Sequence, residues 1–506
     1  MILKTLCLAG ATALAALPAA ADDMIHMATS FQIRSMDPVS QGFWMQEFGQ
    51  GELLMKFQPD GTITPWLAER LERTGDTTWV ITMRDGVTFQ NGRAMDVPAV
   101  LEAIAYHRER NSGTQAVLPA EATFTQTGPF DITVETGVPV PELPSILAHE
   151  SRLMIIDVGP VLAAGDDFEA LEGAGIHTGP YRLVDLDDQR MIAERFEGYW
   201  QGMPAMAGVD LRFVSDANAR ILAVQNGEVD IALYPPISAA PVFAATPNVN
   251  LALGAPSTGG FLSVMDVTNG AFEEIDVRRA VMLAVNYDEL ANDVFHGAKI
   301  PATGLYNPRF PWAIENYRYA PDEANAILDD AGWVRDGDTR TRGGETLSVT
   351  LMIYPQQPDL VPLSGAMQSY LREIGIAAEI VSVDSVTEAA MNDLVDWDLA
   401  LVATGTATVG SVSGFLNRYV ACEGDRNYGG YCNDTVQALI ETLDVTVEEE
   451  ERYEMLRQIQ TILVNDDPYV FNATILIERA LVSDAWSDYV PAVAWNHIKW
   501  DTAPNQ

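Results

Sequence analysis

The sequence is poor in positive charge, thiols and histidine. It has 506 residues, with 30 Lys and Arg against 71 Asp and Glu, a net charge of −41, 6 His and 3 Cys. Only four of the basic residues are lysines: Lys4, Lys56, Lys299 and Lys499. A chain this acidic repels a phosphate backbone and gains nothing from an anionic membrane surface, which excludes nucleic acid as a partner. Charged residues make up 20% and hydrophobic residues 48%, a globular balance, and the length predicts about two or three domains.

Long hydrophobic runs are absent beyond the N-terminus. Lys4 supplies a positive start, residues 6–17 are apolar and uncharged, and 19–21 are three alanines. This pattern predicts a cleavable signal peptide over 1–21, with a short buried N-terminal helix as the alternative. Cys7 lies within the apolar stretch without a small-residue run before it, so we expect no lipid anchor. The sequence therefore predicts an exported, free periplasmic protein.

Two cysteines remain after the predicted cleavage. Cys422 and Cys432 stand ten residues apart. In an exported chain such a pair usually forms a disulfide. The alternative is a metal site, but two ligands without a nearby histidine are too few to hold an ion. We predict a disulfide.

Motifs for catalysis and for metal or nucleotide binding are also lacking. No lysine follows a glycine as in a phosphate-binding loop, and the stretch 410–414 has Val412 where a serine nucleophile would stand. His149-Glu150 has no second histidine four residues after the first. Residues 336–338 begin like a calcium loop, but Thr341 and Leu347 replace the required Gly and Glu, so a hairpin turn is the better interpretation. We therefore predict no metal, no cofactor and no enzyme, with a secreted hydrolase as a remote alternative.

Strand-like and helix-like stretches alternate throughout the chain. Residues 79–83 alternate apolar and polar side chains before the turn at Asp85-Gly86, and Asp96 and Asp216 are good helix N-caps. Further strands are predicted at 229–233, 347–353, 377–383 and 398–403, and further helices at 276–285, 320–331, 365–374 and 448–464. This alternation, without repeats, predicts α/β domains with mixed sheets.

Several stretches, in order along the chain, resemble the family 5 extracellular solute-binding proteins, the dipeptide, oligopeptide and nickel binders of ATP-driven importers. The matching stretches are 65–70, 79–92, 178–182, 199–200, 216–220, 226–230, 276–280, 284–286, 302–304, 331–333, 371–376, 427–433 and 459–469. Each is weak alone, but their order and spacing across nearly all of the chain make the match specific.

The resemblance implies an α/β, two-lobed periplasmic binding protein fold of class II, with an extra subdomain in the first lobe, mixed sheets and a hinge. It implies a lobe I core of 22–52, 175–259 and 479–506, an extra subdomain of 53–174, and a lobe II of 260–478. The chain would cross between lobes near 259–261 and return near 477–481. Hinge closure buries the solute between the lobes. The implied partner is an inner-membrane ABC permease, and we expect a monomer.

Both charge anchors of dipeptide binders resembling this chain are missing. Those proteins carry an Asp in the loop after the strand equivalent to 398–403, but residues 404–414 contain no acid. They also place an Arg, which holds the carboxylate of the peptide, near the equivalent of Gln357. Residues 354–359 of this chain contain no Arg. An unpaired buried charge on the ligand costs several kcal/mol, which disfavours a simple zwitterionic dipeptide unless other residues anchor it. Nickel binders resembling this chain have a histidine beyond the same loop, and residues 415–431 have none.

The remaining candidates are cationic, hydroxylic and aromatic. Arg152 stands near where nickel and metallophore binders resembling this chain place an anion-holding Arg, and Arg418 follows the Thr/Ser/Gly loop. Guanidinium groups suit carboxylates or anionic chelates, although a surface ion pair is the alternative for each. The hydroxyl candidates are Thr404, Thr406 and Thr408, and the candidate apolar walls, with core packing as the alternative, are Phe261, Trp397 and Trp495.

The sequence thus predicts a periplasmic substrate-binding component of an ABC importer, for a peptide or peptide-like solute. The alternative within the family is a nickel, metal–metallophore or opine binder.

Overall fold

The computed structural model describes residues 23–237, 243, 246–268, 270–354, 357–392, 394–492 and 496–505. The predicted signal peptide, with Cys7, lies outside the described residues.

The described strands, β1 to β20, are Met24–Thr29, Met55–Phe57, Ile63–Pro65, Ala68–Arg73, Thr78–Met83, Thr123–Gln126, Asp131–Glu135, Tyr181–Leu186, Arg190–Arg195, Gly208–Phe213, Ile231–Leu233, Val249–Met265, Lys299–Pro301, Val334–Asp336, Thr339–Arg342, Glu345–Thr346, Ser348–Ile353, Ala377–Ser382, Leu399–Gly405 and Val470–Ser483. The described α-helices, α1 to α14, are Gly42–Glu47, Val97–Arg110, Ser112–Gln115, Leu143–Leu147, Val158–Ala164, Ala217–Gln225, Ile275–Ala284, Tyr287–Glu289, Pro321–Asp330, Leu360–Glu373, Val386–Met391, Ser413–Phe415, Asp434–Val445 and Glu449–Thr461.

Two long strands form the centre of the main sheet. Strands β12 and β20 pair antiparallel from Val249 opposite Ser483 to Val264 opposite Val470. The strand order is β18-β17-β19-β12-β20-β11-β1-β10-β9-β8, and β13 pairs with β20. Parallel pairs (β1 with β10 and β11, β17 with β18 and β19) combine with antiparallel ones, so the sheet is mixed, as predicted.

The central pair changes register in its middle. The pairing shifts between Leu253 and Pro256, between Pro256 and Gly260, and again after Phe261. On one side of this irregular stretch β20 pairs with β11, and on the other side β12 pairs with β19. The same two strands therefore serve both halves of the molecule. The predicted lobe boundaries themselves stay a prediction.

A separate sheet forms within the stretch predicted as an extra subdomain. Its four strands have the order β4-β5-β7-β6 and are all antiparallel, and the apolar side chains of β5 and β7 alternate between buried and less buried positions. Gly179 allows the following strand to approach the first part of the chain, because a Cβ there would lie only 2.6 Å from the Gly49 carbonyl oxygen.

Local sequence signals set most element boundaries. The side chain of Asp96 accepts a hydrogen bond from the Ala99 amide at the start of α2, and Asp216 does the same for Ala219 at the start of α6. Residues 336–338 form the turn between β14 and β15, which confirms the hairpin interpretation. One start was wrong: α10 begins at Leu360, five residues before the predicted Gly365. The burial of Leu360 and Leu363 extends the apolar face through this turn.

The last predicted helix ends earlier than expected. Helix α14 ends at Thr461, and residues 462–466 continue as a π-helical turn. Within the described part of the chain, no helix combines the length and apolar character that a bilayer crossing requires.

Candidate functional site

We assign the candidate cleft to the edge of the main sheet where parallel strands end. In open α/β sheets, ligands bind in the crevice outside the carboxyl ends of the strands. Strands β1 and β11 run parallel, and Phe31 and Tyr234 follow their carboxyl ends. On the other side β19 ends at Gly405 and leads into the loop 406–412, where Thr406 donates its amide to the Thr258 carbonyl of β12.

Glu142 connects the two sides of this cleft. It precedes α4, and its carboxylate accepts hydrogen bonds from the Ser411 hydroxyl and from the amides of Val412 at 3.2 Å and Ser413 at 3.3 Å. Arg452 of α14 donates to the same carboxylate at 3.0 Å. We call these five residues the Glu142 latch. The latch therefore joins the residue before α4 to the loop 411–413 and to α14, which lie 269 to 310 residues further along the chain.

The loop beside the latch has an unusual backbone. Val409 has φ 51°, a left-handed conformation that is costly for a β-branched residue, and Gly410 follows at φ 78°. A Cβ at Gly410 would touch the Phe57 ring at 3.6 Å. The loop therefore packs against the stretch that contains Phe57 and Glu142.

Of the two arginines predicted for the site, Arg152 is the one whose positive charge has no described partner. Its carbonyl accepts a hydrogen bond from the Thr114 hydroxyl at 2.7 Å, which fixes the backbone. Its guanidinium lies over Gly113, where a methyl group would collide with it. The side chain is half-buried, and among the described residues none forms a hydrogen bond or ion pair with the guanidinium. Burial lowers the pKa of Arg152, opposed by Glu150 and reinforced by Arg418. A partly buried charge without a partner is an open site for an anion.

Arg418 lies close enough to Arg152 to repel it but has its own partner. It forms a two-pronged ion pair with Asp425, both contacts at 2.9 Å. Its side chain is 47% exposed, and the Asp425 hydrogen bonds raise its pKa. This is the surface ion pair that was the alternative for Arg418, and a role in binding stays a prediction.

The threonines and aromatic residues occupy different environments. Thr406 is buried, Thr404 is partly buried in β19 opposite Gly260, and Thr408 is exposed. Phe261 is completely buried, against Phe295 at a centroid distance of 5.8 Å, and Trp397 is also buried in a hydrophobic cluster. Phe261 and Trp397 thus pack in the core, the alternative weighed above, and offer little surface to a solute. Trp495 lies outside the described residues.

The disulfide prediction is confirmed. Cys422 and Cys432 are bonded, with Cα atoms 4.5 Å apart. The bridge closes the segment that follows Arg418, and Asn427 inside it donates to the Tyr431 carbonyl at 2.6 Å and to the Ala421 carbonyl at 3.0 Å.

Sequence reasoning missed a group of carboxylates at the opposite end of the cleft. Glu47 ends α1, and Glu478 lies on β20 where that strand passes the irregular stretch. His497, Tyr234 and Tyr489 surround them. These residues come from distant segments, so no local spacing could have revealed them.

A cavity of about 250 Å³ lies elsewhere, between α7 and α9. Its two arginines are already engaged. Arg318 binds Glu323 with two contacts of 2.7 Å, and Arg279 donates to the carbonyls of Asn465 and Asp466. This cavity therefore presents no free charge to a ligand. Over the described ranges no group of three or more His, Cys, Asp or Glu side chains is arranged to hold a metal ion.

Comparison with known proteins identifies the fold. The model for bacterial extracellular solute-binding proteins, family 5 Middle, matches residues 62–427. A nickel-binding protein NikA of Staphylococcus aureus is 26% identical over 427 residues, which cover 83% of this chain and 82% of that protein. A glutathione-binding protein GsiB of Salmonella typhimurium is 26% identical over 497 residues, 91% of this chain and 90% of that one.

The solved structure of a nickel ABC transporter protein from Bacillus halodurans has the same fold. Its TM-score is 0.80, at 23% identity, over 94% of this chain and 99% of that chain. The two-lobed binding-protein fold with mixed sheets is thereby confirmed. The chain belongs to the family 5 bacterial extracellular solute-binding proteins.

Proposed function

We propose that this protein is the periplasmic substrate-binding component of an ABC importer for a peptide or peptide-like solute. It closes its two lobes on the solute and delivers it unchanged to a membrane permease, without catalysis. The observation that carries the choice of solute is the Arg152 guanidinium, which lies half-buried beside the cleft with no described partner. A carboxylate on the solute supplies the missing charge.

The solute must satisfy an anion site and a loop without acids. Residues 404–414 offer hydroxyls and backbone amides but no carboxylate. The relative described as glutathione-binding aligns over 91% of this chain, which supports a small carboxylate-bearing peptide. The relative described as nickel-binding aligns over 83%. With no three-residue metal cluster in the described part of the chain, a metal would have to arrive as a chelate whose carboxylates meet Arg152.

Mass spectrometry of the freshly purified protein tests this function. The native protein is expected to carry a solute, and the denatured extract to contain an amino-acid-derived compound of the same mass. Melting scans with peptides, opines and nickel–histidine provide a second measurement, since a ligand at 100 times its Kd adds about 2.7 kcal/mol of stability. About one equivalent of retained metal would favour the chelate alternative, and no shift with any peptide would contradict the peptide proposal.

Turnover assays on the same panel test the absence of catalysis. A binding protein returns each solute unaltered after release. Analytical ultracentrifugation tests the expected monomer, and reconstitution with a candidate ABC permease tests delivery. Cleavage of 1–21 is checked by sequencing the N-terminus of the exported protein.

A further inference from the structure

A buried acidic group lies on the first-lobe side of the cleft. It consists of Glu47, Tyr234, Glu478, Tyr489 and His497, and we call it the acidic floor. Glu47 has no exposed surface. Its Oε1 accepts a hydrogen bond from the Tyr234 hydroxyl at 2.8 Å and lies 3.2 Å from His497 Nε2. Its Oε2 is buried and has no hydrogen-bond partner among the described residues.

Glu478 adds a second carboxylate to the acidic floor. It is partly buried, and no residue in the described part of the chain donates a hydrogen bond to it. Burial raises the pKa of Glu478, with His497, Arg479 and Lys299 opposing the shift and Glu47 reinforcing it. Tyr234, which donates its hydroxyl to Glu47, also donates its amide to the carbonyl of Arg479, the residue after Glu478, at 3.3 Å, so the backbone brings the two glutamates to the same region. Carboxylates removed from water are stable only when paired, so this arrangement favours an external positive group.

Among the described residues, Arg479 and Lys299 act on the acidic floor only through space and form no ion pair with Glu47 or Glu478. Arg479 donates to the Pro235 carbonyl at 2.8 Å and to Asp359 at 3.3 Å. Lys299 binds the same Asp359 at 3.1 Å and lies over the Phe261 ring. Both side chains are therefore directed to Asp359 and leave Glu478 without a direct ion pair.

Aromatic rings form the entrance to the acidic floor. Phe31 is 47% exposed, although it is a large apolar side chain at the carboxyl end of β1. Its ring lies 5.2 Å from Tyr234 in an edge-to-face contact and 5.3 Å from Trp44. Tyr234 in turn contacts the His497 ring at 6.2 Å. Aromatic faces beside carboxylates favour ammonium and guanidinium groups.

A purely structural role explains only part of this arrangement. The Tyr234 and His497 contacts to Oε1 of Glu47 fix the chain near residue 497. They leave Oε2 of Glu47 buried without a partner among the described residues, and none of these residues donates a hydrogen bond to the partly exposed carboxylate of Glu478. A metal site is disfavoured as well, because no metal-binding group of three side chains occurs in the described ranges.

We propose that the acidic floor is a second charged subsite of the cleft, which takes the ammonium or guanidinium group of the solute. This inference rests on the proposed function, in which Arg152 holds the carboxylate. The solute then carries opposite charges at its two ends. The missing acid of the 404–414 loop is replaced by carboxylates on the other lobe.

Titration calorimetry with matched tripeptides tests the acidic floor. Triglycine and glutathione are each compared with their N-acetylated forms, which lack the ammonium charge. We expect the wild-type protein to bind the free forms at least tenfold more tightly. In Glu478→Gln this preference should vanish while the affinity for the acetylated forms changes less than twofold. The matched control is Glu228→Gln, an exposed Glu at the opposite end of β11, and it should behave as the wild type.

The outcomes separate this inference from the proposed function. Equal binding of free and acetylated tripeptides by the wild type refutes the acidic floor and leaves solute capture intact, and this comparison needs no variant. A preference that survives in Glu478→Gln, folded as judged by its melting curve, also refutes it. If the wild type binds none of the four compounds, the proposal of a peptide-like solute is refuted, and the proposal of a second subsite is refuted with it.

Discussion

Replacement of Glu142 by Gln is expected to open the cleft. The carboxylate of Glu142 accepts four hydrogen bonds from the second side of the cleft, one of them from Arg452 at 3.0 Å. Both charged side chains are largely buried, with 14% and 12% exposure. The amide of Gln keeps one acceptor but turns an NH₂ group towards donors. The latch loses its charge and at least one hydrogen bond.

The magnitude follows from what Arg452 retains. Removing one partner of a buried ion pair usually costs about 3–5 kcal/mol. Arg452 still donates to the carbonyls of Leu443 and Thr446, so the loss should lie below that range, at about 2 kcal/mol. Since 1.4 kcal/mol corresponds to a factor of ten, the ratio of closed to open molecules should fall roughly thirtyfold.

Small-angle scattering of the ligand-free protein measures this change. The radius of gyration of Glu142→Gln should exceed that of the wild type, and urea unfolding should show the lower stability. Glu454→Gln is the control, because Glu454 lies on the same helix as Arg452 but is 62% exposed in its pair with Arg457. Such surface pairs contribute about 0–1 kcal/mol. Identical scattering profiles and stabilities within about 0.5 kcal/mol would refute the latch.

Three other perturbations have defined outcomes. Reduction of the Cys422–Cys432 disulfide should lower the free energy of unfolding by about 3 kcal/mol in urea titrations, because the bridge restricts the unfolded chain. Arg152→Gln should leave the free energy of unfolding unchanged or higher, since the Arg152 guanidinium has no described partner. The same substitution should weaken the binding of carboxylate-bearing solutes about a hundredfold, as measured by calorimetry. Burial lowers the pKa of Lys299 to about 8. Above that pH the unfolded state therefore binds more protons than the folded state. The free energy of unfolding should rise by on the order of 2 kcal/mol from pH 8 to 10, and Lys299→Met should abolish this rise.

Each of these outcomes has a contrary result. An unfolding curve that is the same with and without reductant contradicts a stabilising disulfide. Arg418→Gln is the control for Arg152, because Arg418 is already paired with Asp425. An equal loss of solute affinity in both variants argues against a special role of Arg152. For Lys299, a pH profile of the variant that parallels the wild type would show that other groups cause the rise.

Local chemistry made much of the fold predictable. Asp96 and Asp216 cap helices through their own side chains, a signal contained within four residues. The hairpin turn at 336–338 is likewise local. The predicted start of α10 at Gly365 was five residues late, because the burial of Leu360 and Leu363 depends on the packed core. Burial of this kind is decided by tertiary contacts that no window of sequence contains.

The site was only partly predictable for the same reason. The sequence shows both Arg152 and Arg418 among 71 acids, and only the fold distinguishes the arginine with a partner from the one without. Glu47, Glu478 and His497 are brought together because β20 returns to the first side of the cleft. Their separation along the chain hides them from any motif.

The shared central strands have a consequence for cooperativity. Strand β20 pairs with β11 near its carboxyl end and with β13 near its middle, and it pairs with β12 along nearly its whole length. Neither half of the molecule can lose its sheet without breaking strands that the other half needs. The two halves should therefore melt as one unit, so that calorimetry shows a single transition although the chain folds into two lobes.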